Sequence, residues 1–128
     1  MKIAIVGSRK INVTDIERYV SDCEEIVSGG ARGVDTCAAE YAKNNGIKLT
    51  VFIPQYERYG RAAPIVRNKE IVDYADKIIA FWDGKSKGTL SVIKYAEKVK
   101  KECEVIICEW LFRLKQRLPK LDKTRKAL

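Results

Sequence analysis

Four short stretches of the chain gather the residue types that bind anions. Residues 7–9 read Gly-Ser-Arg, residues 28–35 read SGGARGVD, residues 67–68 read Arg-Asn, and residues 83–89 read DGKSKGT. Six of the eight glycines stand in or beside them: Gly7, Gly29, Gly30, Gly33, Gly84 and Gly88. Glycine lets consecutive backbone N–H groups close around an anion. Arg9, Arg32 and Arg67 can add bidentate contacts to a phosphate. Ser8 sits inside the first stretch, and Asn68 can orient a phosphate or a ribose. Ser86 and Thr89 place hydroxyls at the start of one helix, and Asp35 lies at the start of another. The rival reading is structural: glycine turns before helices also serve packing alone, and Asp35 and Ser86 can simply complement helix starts. Neither glycine loop is a Walker A or a Gly-x-Gly-x-x-Gly.

The chemistry is bounded by what is missing. There is no histidine, so the commonest general base is absent. The four cysteines, at 23, 37, 103 and 108, form no Cys-x-x-Cys pair. Cys23 and Cys37 fall on apolar helix faces, and Cys103 and Cys108 point to opposite faces of one strand. Reduced, structural thiols are the reading, with neither a metal nor a cofactor required. The formal charge is +8, but residues 113–128 hold seven Lys or Arg and one Asp, which leaves the body at +2. No apolar run reaches membrane-spanning length, and the N-terminus reads as a strand rather than a signal peptide, which places the protein in the cytoplasm.

The elements that must position these stretches alternate. Lys2–Val6 is a short apolar strand. Thr14–Cys23 has helical spacing at Ile16, Tyr19, Val20 and Cys23. Glu25–Ser28 is a second strand. Gly33–Asn45 is a helix with a stripe at Val34, Cys37, Ala38, Tyr41 and Ala42, closed by Asn-Asn-Gly. Lys48–Ile53 is a third strand, stopped by Pro54. Gln55–Ala63 reads as an aromatic and basic loop, a lid with Tyr56, Arg58, Tyr59 and Arg61. Ile65–Tyr74 is a helix with Pro64 at its first position. Asp76–Trp82 is the strongest strand. Thr89–Lys101 is helical through Leu90, Ile93, Ala96 and Val99, and Glu104–Cys108 is a fifth strand.

Apolar strands separated by helices give a parallel sheet covered on both faces. The fold class is α/β: a three-layer Rossmann-like sandwich with a five-stranded parallel sheet in the order 3-2-1-4-5. In such sheets ligands sit outside the carboxyl ends of the strands, where all four stretches open. Residues 1–110 form the ligand-binding domain. Residues 111–128 form a basic amphipathic tail, with Trp110, Leu111, Leu114 and Leu118 on one side.

Taken in order, GSR, SGGARGVDTCAAEYA, YGRAAPIVRN and DYADKIIAFWDGKSKGT resemble the SLOG superfamily over about residues 2–108. The branch they most resemble is the YspA-type, cpYpsA-related group of small single-domain proteins. The resemblance implies a Rossmann-like fold that binds nucleotides or ADP-ribose-like ligands. Its binding loops match Gly7–Arg9, Gly29–Asp35, Arg67-Asn68 and Asp83–Thr89. Two relatives mark the alternatives. Lonely Guy phosphoribohydrolases use an arginine that Arg67 matches and a glutamate after their glycine loop, where this chain has Leu90-Ser91-Val92. The DprA family shares the GSR, the ARG-x-D turn and the Arg-Asn pair, and binds single-stranded DNA. Lys85 and Lys87 would then join Arg9, Arg32 and Arg67 on phosphates, and Tyr56, Tyr59 and Trp82 would stack bases.

The expectation is therefore a nucleotide-class small molecule bound at Gly7, Ser8, Arg9, Gly29, Gly30, Arg32, Gly33, Asp35, Arg67, Asn68, Asp83, Gly84, Ser86, Gly88 and Thr89. The protein would act as a sensor or binding module. The alternatives are a nucleotide N-glycosidase and a DprA-like single-strand binder. The low body charge sets nucleic acid second, and a homo-oligomer is compatible with the open sheet edges without being required.

Overall fold

The computed structural model describes residues 1–13, 15–20, 22–30 and 33–108. The expectations for Arg32 and for the tail at 111–128 lie outside those residues. The elements in chain order are β1 (Lys2–Gly7), α1 (Glu17–Val20), β2 (Glu25–Ser28), α2 (Val34–Asn44), β3 (Lys48–Val51), α3 (Tyr56–Tyr59), a 3₁₀ turn (Gly60–Ala62), α4 (Ala63–Tyr74), β4 (Lys77–Trp82), α5 (Lys87–Lys98) and β5 (Glu102–Ile107).

The strands form one parallel sheet in the order β3-β2-β1-β4-β5, the expected arrangement. β1 lies at its centre, with Lys2 opposite Glu25 on one side and Ile3 opposite Lys77 on the other. Side chains alternate across the sheet and build two cores. Ile3, Ile5, Ile26, Ile79 and Phe81 pack with Ile16 and Val20 and with Val34, Ala38 and Ala42 of α2. Ala4, Val6, Val27, Ile78 and Ala80 pack with Ile71 and Val72 of α4 and with Val92 and Ala96 of α5. Each fully buried branched side chain contributes about 1.5–3 kcal/mol, so β1 and β4 anchor the molecule.

Several boundaries differ from the sequence reading. Among the described residues of the expected helix Thr14–Cys23, the helical ones are Glu17–Val20, with Arg18 N bonding Asp15 O and Cys23 N bonding Val20 O (both 3.1 Å). Glu24 N already bonds Met1 O, so the chain must turn into β2. The loop expected at 55–63 is instead one helical turn followed by a 3₁₀ turn. No residue of Tyr56–Ala62 is buried, so there was no apolar stripe to read. The buried face of α5 is Thr89, Val92 and Ala96, with Val99 exposed. β5 starts at Glu102 because its pairing follows β4, where Lys77 Nζ bridges Glu102 (3.5 Å) and Glu104 (3.6 Å). None of the four cysteines is in a disulfide among the described residues, and Cys103 and Cys108 pack against opposite cores. Among the described residues no helix is long and apolar enough to cross a membrane.

Candidate ligand cleft

The carboxyl ends of β1, β2 and β4 open into one cleft of about 500 Å³. Its wall follows from close packing of loops against helix starts. Ser8 N bonds Phe81 O at 3.1 Å, which ties the Gly-Ser-Arg turn to β4. A Cβ on Gly7 would stand 2.5 Å from Val34 Cγ2 and 2.8 Å from Phe81 O, so α2 can seat on β1 only with glycine there. Gly33 has φ +71 and lies against the backbone carbonyls of Ser8 and Arg9, which again demands glycine. At these two positions the turn serves packing. Gly30 bonds Ser28 Oγ through its N–H at 3.3 Å and faces Val51 and Ile53 rather than the cleft.

Gly29 does something different. The space a Cβ would fill is flanked by Arg67 Nη1 at 2.8 Å and Asp35 Oδ2 at 3.1 Å. Arg67 comes from the first half of α4, started by Pro64. Its Nη1 donates to Gly29 O at 2.6 Å and its Nε to Asn68 Oδ1 at 2.9 Å. Asn68 is buried, and its Nδ2 reaches Gly88 O at 3.4 Å and Ser91 Oγ at 3.5 Å, which couples α4 to the start of α5. Burial holds the Arg67 guanidinium below its ordinary pKa. Asp35 and Tyr56 act to raise it, and Arg9 adds to the lowering. Asp35 is itself buried in the first turn of α2.

The third wall is the turn after β4. Asp83 Oδ1 accepts from Lys85 N and Ser86 N, each at 2.8 Å. Burial acts to raise the Asp83 pKa, but these two bonds and the nearby Ser8 hydroxyl outweigh it, and the carboxylate titrates below its ordinary range. Ser86 caps α5, its Oγ accepting from Thr89 N at 3.3 Å and lying 3.2 Å from Thr89 Oγ1. Trp82 Nε1 donates to Ser86 O at 3.0 Å, so the indole fastens this turn. Ser8 Oγ is the exception in this well-satisfied wall. The residue is 3% exposed, lines the cleft and has no hydrogen-bond partner of good geometry among the described residues. Buried hydroxyls without partners are uncommon.

Of the residues singled out in the sequence, Gly7, Ser8, Arg9, Gly29, Asp35, Arg67, Asn68, Asp83, Ser86, Gly88 and Thr89 line the cleft together. Gly30, Gly33 and Gly84 stand behind or beside it. Lys10, Lys85 and Pro64 join the lining, over an apolar floor of Val6, Ile71 and Val92. Lys10 is legible as the residue after Gly-Ser-Arg, whereas the floor is visible only once the strands are assembled. Arg9, Lys10 and Lys85 are exposed and Arg67 is half-buried, so among the described residues four cations and two carboxylates line this space. Asp83 is held by its own turn, and Asp35, buried in the first turn of α2, acts on Arg67. At positions 90–92 the chain offers a leucine, a serine that meets Asn68, and a valine in the floor. Such a lining suits holding an anion. Among the described residues no group of three or more His, Cys, Asp or Glu is placed to hold a metal ion.

Comparison with solved structures places the fold. DNA processing protein A (DprA) from Streptococcus pneumoniae superposes with a TM-score of 0.67 at 22% identity, covering 91% of this chain and 56% of that one. DNA processing protein A from Helicobacter pylori, whose structure concerns its single-stranded DNA binding mode, gives a TM-score of 0.66 at 21% identity, covering 91% of this chain and 72% of that one. This chain thus spans little more than half the length of the first. At these identities the likeness is one of fold, and it agrees with the Rossmann-like sandwich expected from the alternation of strands and helices. No protein-family model matches the sequence, and no curated protein matches it significantly.

Proposed function

We propose that the cleft takes a backbone phosphate of single-stranded DNA, and that the chain is a SLOG-type nucleic-acid-binding module. The observation that carries this reading is the convergence of Arg9, Lys10, Arg67 and Lys85 on one cleft at the carboxyl edge of the sheet. The fold likeness to DprA, one example of which is described in its single-stranded DNA binding mode, supports the choice of ligand. The finer assignment to the YspA-type branch rests on the sequence motifs alone. Arg67 is held ready for an anion. Gly29 O and Asn68 fix two edges of its fork, which orients the guanidinium at the cleft for an oxygen of the ligand. Arg9, Lys10 and Lys85, on exposed turns, supply the long-range attraction.

A second reading is a free nucleotide bound in the same place. It draws on the dimensions of the cleft, whose volume of about 500 Å³ lies within the range of small-molecule sites. Both readings put a phosphate beside Arg67. They part on whether a strand or a single nucleotide is the better ligand.

Fluorescence anisotropy of a labelled oligothymidylate, titrated at several salt concentrations, tests the reading. The expected result is binding that weakens steeply with salt, with a slope that falls by about 0.7 for each phosphate contact removed in Arg9→Ala and Lys10→Ala. Displacement of the strand by equimolar mononucleotide would favour the second reading. Absence of binding at low salt would remove the first.

A further inference from the structure

Between the cleft and the free edge of the sheet runs a strip of exposed apolar and aromatic surface that phosphate binding leaves unused. β3 ends at Val51, 39% exposed, and the chain continues through Ile53, 67% exposed, to Tyr56, 60% exposed. The strip adjoins the cleft through two glycines. A Cβ on Gly30 would lie 3.1 Å from Val51 Cγ1 and 3.9 Å from Ile53 Cγ1, while Gly29 next to it carries the carbonyl that Arg67 holds. From the other side, Tyr56–Ala62 leads without interruption into α4, whose first turns bring Pro64 and Arg67 to the cleft.

The charges along this strip are those of an anion's partner. Arg58 and Arg61 are exposed on the same helical turns, with Glu57 the single carboxylate between Tyr56 and Ala62. The Arg58 guanidinium lies 5.2 Å from the centre of the Tyr59 ring, so Tyr59 is partly covered while Tyr56 stands open. An apolar face of a few side chains, flanked by arginines and continuous with a cationic cleft, matches a chain of flat bases strung on phosphates. It matches the largely apolar interface of a permanent protein partner less well.

Resting on the single-strand reading above, we propose that Tyr56 and Ile53 form a stacking surface for the bases of single-stranded DNA whose phosphate occupies the cleft. The strand enters at Arg67, passes over Gly29 and Gly30, and lays the next base on the Tyr56 ring. Every base has an apolar face, so this surface confers affinity without choosing sequence. Arg58 and Arg61 accompany the backbone as it leaves.

The test compares two labelled strands of about 12 nucleotides, one oligothymidylate and one abasic with the same phosphates, against the full chain and its Tyr56→Ala and Tyr56→Phe variants. Tyr56 is mostly exposed, so both variants are expected to keep the wild-type thermal midpoint. The expected result is that Tyr56→Ala weakens the base-bearing strand by about 10-fold, leaves the abasic strand unchanged, and is rescued by Tyr56→Phe. Unchanged affinity of Tyr56→Ala for oligothymidylate, alongside loss of binding in Arg9→Ala/Lys10→Ala, would overturn the stacking surface and leave the phosphate cleft standing. Equal weakening of both strands would also overturn it, because Tyr56 would then serve the backbone. A Tyr56→Ala variant that loses self-association in sedimentation while binding DNA normally would assign the strip to a second copy. No binding of either strand by the wild-type chain would remove the underlying reading and this one with it.

Discussion

Arg67→Lys separates charge from geometry. The substitution keeps a cation at the cleft but replaces a planar fork with a single ammonium. In the structure the fork spans two acceptors that belong to different parts of the fold: Gly29 O after β2 at 2.6 Å and Asn68 Oδ1 on α4 at 2.9 Å. Lysine can serve one of them, and the buried Asn68 side chain loses its only described donor. A hydrogen bond from a charged donor contributes about 1.5–3 kcal/mol, and the half-exposed position argues for the lower part of that range. The expected cost is therefore about 2 kcal/mol. For a domain of this size each kcal/mol lowers Tm by about 4 °C, so calorimetry should place the variant about 8 °C below wild type. Affinity for oligothymidylate should fall as well, although net charge is unchanged. A variant melting within about 1 °C of wild type would show that the Gly29–Arg67–Asn68 connection contributes nothing in solution, and the pre-set arginine would go with it.

Other substitutions probe the same edge of the sheet. Gly88→Ala meets open space at the start of α5, so it should raise stability by about 0.5 kcal/mol in thermal melts while weakening strand binding if the ligand approaches that helix start. Gly7→Ala forces a methyl into Val34 and the Phe81 carbonyl and should cost about 2–3 kcal/mol, read by urea unfolding; a loss under about 1 kcal/mol would mean α2 does not seat on β1 this tightly. Glu25 lies at the opposite end of the sheet, where Thr50 Oγ1 and Tyr74 OH each donate to its Oε2 at 2.5 Å and hold its carboxyl below its ordinary pKa of 4.5. A lowered folded-state pKa means stability that is complete above the unfolded value and is lost as pH falls through the folded one. Tm should therefore drop between pH 5 and pH 3 in wild type, and less so in Glu25→Gln; identical profiles would exclude Glu25 as a source of acid sensitivity.

How much of this was legible in the sequence depended on whether the signal was local. β1 and β4 are runs of apolar residues buried on both faces, and such runs name themselves. The glycine stretches lie where the cleft forms, although at Gly7 and Gly33 glycine is required by packing. α5 starts at Lys87, two residues before the expected Thr89, because Ser86 caps it through Thr89 N. The helical turn at Tyr56–Tyr59 could not be read, because a turn that buries nothing leaves no periodicity. Long-range partners were out of reach. Arg67 meets Gly29 from 38 residues away. Its fork looks free in the sequence and is half-spoken for in the fold. The burial of the Ser8 hydroxyl at the cleft wall and the packing roles of Gly7 and Gly33 likewise exist only once β1, α2 and β4 have come together.

The central position of β1 has a consequence for how the molecule is made. β2 follows β1 closely along the chain and can pair with it early. The other flank waits for β4: Lys2 N finds the Asp76 carboxylate 74 residues later, just where that pairing begins. Until then the central strand of the sheet has one side unzipped, with Ile3 and Ile5 lacking half their neighbours. A nascent chain in that condition is a natural client for a holding chaperone, and it is at its most vulnerable to sticking to its own kind. Closing so long a loop also sets the pace of refolding, because the entropy of closure is spent before the central ladder returns anything. Truncation before Lys77 would not give a smaller domain; it would give half of two cores.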